Sequence, residues 1–174
     1  MEMWQGSQIL LGRAERDAQG NYWVLMSALL LTAFTFEAYL NHIGSKLFQT
    51  WNVLERLSPM EKLDVVCERL GISFPSRKRP HNSLRVLFRF RNDLAHGKNQ
   101  TLSTDEFTYD HANLDVLLAT HLKTKWEKLI TWKDVKQVRS DVEIVMSKLH
   151  AAANPGHPLF SPGLTAHTIA LVNT

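Results

Sequence analysis

Cysteine is nearly absent: Cys67 is the single one among 174 residues, so no disulfide can form within the chain. No Gly-rich phosphate loop, no H-x-x-x-H or H-E-x-x-H arrangement and no cysteine pair occurs. The patterns of nucleotide-loop enzymes and of most zinc sites are therefore missing. His111 and His121 have no further ligand at suitable spacing, and neither a metal nor another cofactor is expected. No basic stretch followed by a short apolar run opens the sequence, so no signal peptide is expected and a cytoplasmic location follows by default. Alternating strand patterns, internal repeats and low-complexity tracts are all lacking. Proline is scarce, and three of the six prolines fall after Asn154.

One segment imitates a membrane span. Asn21 to Phe36, NYWVLMSALLLTAFTF, runs sixteen residues without a charge. Spanning needs roughly 20 apolar residues, and Glu37 interrupts the run as it approaches that length. The segment reads instead as a central helix buried on nearly all its faces, with no membrane partner.

What is present is helical periodicity. An amphipathic stretch covers Trp4 to Asp17, and the long central helix covers Tyr22 to Phe48. A short turn lies at Asn52 to Leu57. Ser58-Pro59-Met60-Glu61 is a capping box with proline at the first helical position, starting a helix that Gly71 stops after Leu70. Cys67 reads as a small core residue of that helix. Further helices are expected at Asn82 to Gly97, His111 to Lys128 and Trp132 to Ala153, the last with Val135, Val138, Val142, Val145, Met146 and Leu149 at helical spacing. The tryptophans Trp23, Trp51, Trp126 and Trp132 read as core packing. The expected architecture is an all-α, up-and-down bundle of four to five helices over residues 1–153, followed by an irregular tail over 154–174.

Charge is unevenly placed. Between Arg77 and Arg91 stand six Lys or Arg residues (Arg77, Lys78, Arg79, Arg85, Arg89, Arg91) and no acid. Subtracting those six from the 20 basic residues leaves 14 against 17 acids, a net −3 elsewhere. The positive charge is thus local. A solvated basic face accounts for such a cluster, and so does a polyanionic partner such as RNA, steered by Arg77, Lys78, Arg79, Arg85 and Arg89.

Arg91 is the anomaly. At about 100° per residue, Leu84, Val86, Leu87, Phe88, Phe90, Leu94 and Ala95 share one broad face of the Asn82–Gly97 helix. Arg85, Arg89, Asn92 and His96 form a separate polar stripe. Arg91 falls between Leu87 and Ala95, inside the apolar arc. A guanidinium cannot be neutralised at ordinary pH, so its burial demands an anionic partner. Glu37 is misplaced in the same way on the central helix, four residues after Ala33 and three before Leu40. The two are expected to pair across a helix interface. His96, one residue before the glycine stop, reads alone as a cation complementing the helix dipole. Beside an arginine and a basic surface it is also the imidazole that phosphodiester cleavage uses.

R-N-D-L-A-H, Arg91 to His96, resembles the signature of the HEPN superfamily: an arginine, a polar residue, then a histidine after four to six intervening positions. The upstream FEAYLNHIG (Phe36 to Gly44) looks like the first long helix of many such domains, and the resemblance covers roughly Tyr22 to Lys148. It implies a HEPN-like bundle and metal-independent endoribonuclease activity, with the RNA's 2′-hydroxyl attacking the adjacent phosphate to leave a 2′,3′-cyclic phosphate. Carried over, His96 is the general acid or base, Arg91 stabilises the phosphorane or orients the phosphate, and Asn92 assists by hydrogen bonding, with Glu37 in support. It further implies a homodimer with a composite site, and a toxin or defence effector paired with a nucleotidyltransferase-type antitoxin. The alternative reading is a non-catalytic dimeric module of the same type that binds RNA, a nucleotide or a protein. In a third, the chain is a structural dimer whose Arg91 does no more than hold Glu37.

Overall fold

In the computed structural model of the protein, residues 2–17, 21–97, 124, 126–154, 156 and 159 are described. The fold is an all-α, up-and-down helical bundle. Its helices are α1 (Glu2–Arg16), α2 (Asn21–Leu47), the single turn α3 (Trp51–Leu54), α4 (Pro59–Leu70), α5 (His81–His96) and α6 (Trp132–Ala153). Six helices among the described residues exceed the four to five expected, because the turn at α3 is a helix in its own right.

The axis of the bundle is α2. Ala28, Leu29, Ala33, Phe36, Leu40 and Ile43 are fully buried along it, and α1, α4, α5 and α6 close over them. Small polar groups fix α1 in register: Ser7 Oγ donates to the Ala28 carbonyl at 3.0 Å and lies 2.8 Å from Thr32 Oγ1. The Arg139 guanidinium of α6 sits 3.7 Å over the Trp4 ring, tying α1 to α6 as well.

The helix α2 is long and apolar enough to cross a membrane by composition, and half of its most apolar window is buried within the protein. It is not covered all round, however. Trp23 (66% exposed), Phe34 and Ala38 face outward. Trp23 therefore departs from the core role expected of it. Spacings of eleven and four residues put these three on one stripe of the helix, away from the arc that the neighbouring helices cover. Trp51, by contrast, is buried, stacked 5.8 Å from Phe48.

Local signals set the helix ends. Ser58 and Glu61 form the reciprocal capping box that starts α4, and Gly71 (φ +65°) stops it in the left-handed region. Thr131 caps α6 by accepting from the Asp134 N–H at 3.1 Å. The helix expected from His111 to Lys128 lies largely outside the described residues. Its described end is not α-helix: Glu127–Leu129 is a 3₁₀ turn closed by Thr124, whose amide and hydroxyl both donate to Glu127 at 2.7 Å. Trp126 packs 6.1 Å from Phe90, and Tyr22 donates to Glu127 at 3.3 Å, so this turn rejoins the chain to α5 and α2. Of the tail, Asn154, Gly156 and Leu159 are described; Leu159 packs against the core.

Candidate functional site

The buried face of α5 consists of Ser83, Leu84, Leu87, Phe88 and Phe90, with Val86 and Leu94 half-buried beside it. Ala95 is exposed, contrary to the apolar arc expected for it, because the last turn of α5 runs past the core. Arg91 consequently stands at the edge of that arc, with its side chain 26% exposed.

Glu37 meets it there. Arg91 Nη2 donates to Glu37 Oε2 at 2.5 Å, and Arg91 Nη1 donates to Asn92 Oδ1 at 2.9 Å. The expected pairing across the helix interface is present. A third group joins it: Lys62 of α4, whose side chain is only 3% exposed, places Nζ 3.6 Å from Glu37 Oε1. Each carboxylate oxygen thus faces its own cation, and the cluster of one acid and two bases carries an excess positive charge. An ammonium this deeply withdrawn from water is tolerable only beside an anion.

Arg85, Arg89, Asn92 and His96 are all exposed, as the polar stripe requires. The first three, with Asp93, form one wall of an open groove of about 360 Å³ whose other wall is Pro59 and Met60 at the start of α4. Arg85 and Arg89 pair with no carboxylate among the described residues, and both line the groove. Its chemistry suits a phosphate-bearing ligand.

The basic loop before α5 divides in two. Arg77 and Lys78 are exposed. Arg79 is exposed as well, with 54% of its side chain open to solvent, but it also has a partner: its Nε and Nη2 donate to the two oxygens of buried Asp141, each at 2.8 Å. Ser83 Oγ donates to the same carboxylate at 2.5 Å. A fork-on-fork pair to a buried acid is a structural tie between loop and α6. It sets the charge of Asp141 against that of Arg79 while leaving the side chain at the surface.

His96 is the last residue of α5, followed by Gly97 at φ +52°. It makes no hydrogen bond among the described residues. Five positions along one helix separate it from Arg91, about 140° of rotation, and Arg91 is drawn inward to Glu37. The structure therefore brings together Glu37, Arg91 and Asn92, and leaves His96 apart from them within one copy of the chain.

Sequence reasoning missed Lys62, Asp93 and Asp141. For two of them a signal was present. Lys62 lies between Pro59 and Val66 on the buried face of α4, and Asp141 lies among Val138, Val142 and Val145 on that of α6. Each is a charge out of place on an apolar arc, the same sign that marked Arg91. Comparison with protein-family models, curated proteins and solved structures finds no match to this chain.

Proposed function

We propose that the chain is a metal-independent endoribonuclease of HEPN-like organisation, active as a twofold dimer. The observation that carries this reading is Arg91, held by Glu37 and by Asn92, which lines the groove with Arg85 and Arg89, five residues before His96 on the same helix. The RNA 2′-oxygen attacks its adjacent phosphorus, the P–O2′ bond forms, and the P–O5′ bond breaks. One imidazole accepts the 2′-hydroxyl proton while an imidazolium protonates the departing O5′. Arg91 N–H groups that Glu37 and Asn92 leave open stabilise the charge growing on the phosphorane oxygens. A single copy aims Arg91 and His96 apart; two copies about a twofold axis supply both groups, and both proton carriers, to one phosphate.

The test incubates purified protein with single-stranded RNA in EDTA, beside His96→Ala, which changes an exposed helix-end residue. Cleavage by the wild type alone, leaving 2′,3′-cyclic phosphate ends, is the expected result. Equal cleavage by the variant, or none by either on several RNAs, overturns it. The angular separation of Arg91 from His96 favours a second reading, a module that binds RNA without cutting it. That reading predicts RNA binding without cleavage.

A further inference from the structure

The geometry points to the groove between the start of α4 and the outer face of α5 as a base-reading subsite for a guanine nucleotide. Arg85 and Arg89 take its phosphate, and Asn92 with Asp93 reads its base. The inference rests on the reading of the chain as an RNA-binding protein, and it is independent of cleavage.

Asp93 is the telling residue. It is half-buried in the groove wall, yet its carboxylate meets neither a cation nor a hydrogen-bond donor among the described residues. Arg89 stands one turn earlier on the same helix, the spacing at which such pairs ordinarily form, and does not take it. An ionised carboxylate only accepts hydrogen bonds, through two oxygens side by side. Asn92 supplies the complement. Its amide oxygen already accepts from Arg91 Nη1, so its amide nitrogen is the end left to donate. The wall therefore presents a donor from Asn92 and paired acceptors from Asp93.

Guanine shows the opposite order on its Watson–Crick edge: the O6 acceptor, then the N1–H and N2–H donors. Adenine and cytosine each set a ring-nitrogen lone pair beside the amino group, and that lone pair would confront the carboxylate. Uracil flanks its single N–H with two carbonyls, which do the same. Met60 and Pro59 offer apolar surface to a base, and at about 360 Å³ the groove holds a ligand near the small end of the roughly 300–1,000 Å³ range of ligand sites. That suits one nucleotide.

Calorimetric titration of the full chain with 5′-GMP, 5′-AMP, 5′-CMP and 5′-UMP at low salt tests this. GMP should bind about tenfold or more tightly than the others, the discrimination typical of a bidentate base contact. Asp93→Asn should weaken GMP by about that factor and leave AMP unchanged, with a thermal melt confirming that the variant folds. Arg85→Ala with Arg89→Ala should weaken all four alike. Equal binding of the four nucleotides, binding of none, or a guanine preference surviving Asp93→Asn overturns the subsite. Wild-type protein that cleaves RNA without discriminating nucleotides sinks this inference alone. Protein that selects GMP but never cleaves supports the subsite and sinks the nuclease reading alone.

Discussion

Glu37 and Arg91, 54 residues apart in sequence, meet at 2.5 Å where α2 and α5 face each other, and Lys62 holds the other oxygen of the same carboxylate. The pair is roughly a quarter exposed on each side (Arg91 26%, Glu37 23%), whereas Lys62 is withdrawn from solvent. Removing the acid therefore harms Lys62 most.

Glu37→Ala strands two cations and should cost about 3 kcal/mol in urea unfolding, the lower part of the range for breaking a buried pair. Glu37→Gln keeps an acceptor and should lose markedly less. Lys62→Met leaves Glu37 paired with Arg91 and removes the buried ammonium, so its stability should lie within about 1 kcal/mol of wild type. Equal midpoints for the alanine and glutamine variants would contradict the arrangement.

Arg79→Ala leaves buried Asp141 with Ser83 as its remaining donor and should destabilise by about 3 kcal/mol. Arg79→Lys retains the charge but not the two-pronged geometry, and should fall between alanine and wild type. Chemical denaturation separates the three. Probing the basic surface for RNA contacts is better done at Arg77 and Lys78, whose loss leaves this tie intact.

Gly44→Ala should destabilise despite the better helix propensity of alanine. A Cβ at residue 44 would run into the six-membered ring of Trp51, and that ring is wedged against Phe48. Overpacking of about 1–3 kcal/mol outweighs a propensity gain of about 1 kcal/mol. Combining the change with Trp51→Leu should recover part of the loss, so a double-mutant cycle in urea reads the coupling.

Burial pushes the Cys67 thiol up to about 11, with the charge of Asp64 adding to the effect. In the unfolded chain a thiol titrates near 8.5, so the native state holds this proton more tightly. The associated stability is complete below the unfolded value and is lost as the pH rises through about 11. Melting temperatures should decline across that alkaline window, and less steeply in Cys67→Ala. At about pH 8 a disulfide reagent should modify the native thiol far more slowly than the urea-unfolded one.

Much of this architecture was legible in the residues. The capping box at Ser58 and the stop at Gly71 delimit α4 as read, and α6 spans Trp132–Ala153 as its valine spacing predicts. These are local signals, fully contained within a few turns. The need of Arg91 for an acid was also readable, because a charge on an apolar face states its own requirement. Its partner could be named since Glu37 posed the same problem. Asp141 posed it too, but its partner Arg79 sits in a loop, where no periodicity marks a residue as misplaced. Trp23 failed for a different reason: a helix without charges looks buried all round, and which stripe stays open depends on how the other helices are arranged about it.

One carboxylate on α2 anchors both α4 and α5, and those two helices are the banks of the groove. The width between them is therefore governed from below, at a point no ligand in the groove needs to touch. Altering Glu37 would shift the spacing of those banks, as moving a hinge pin changes the gap between two jaws.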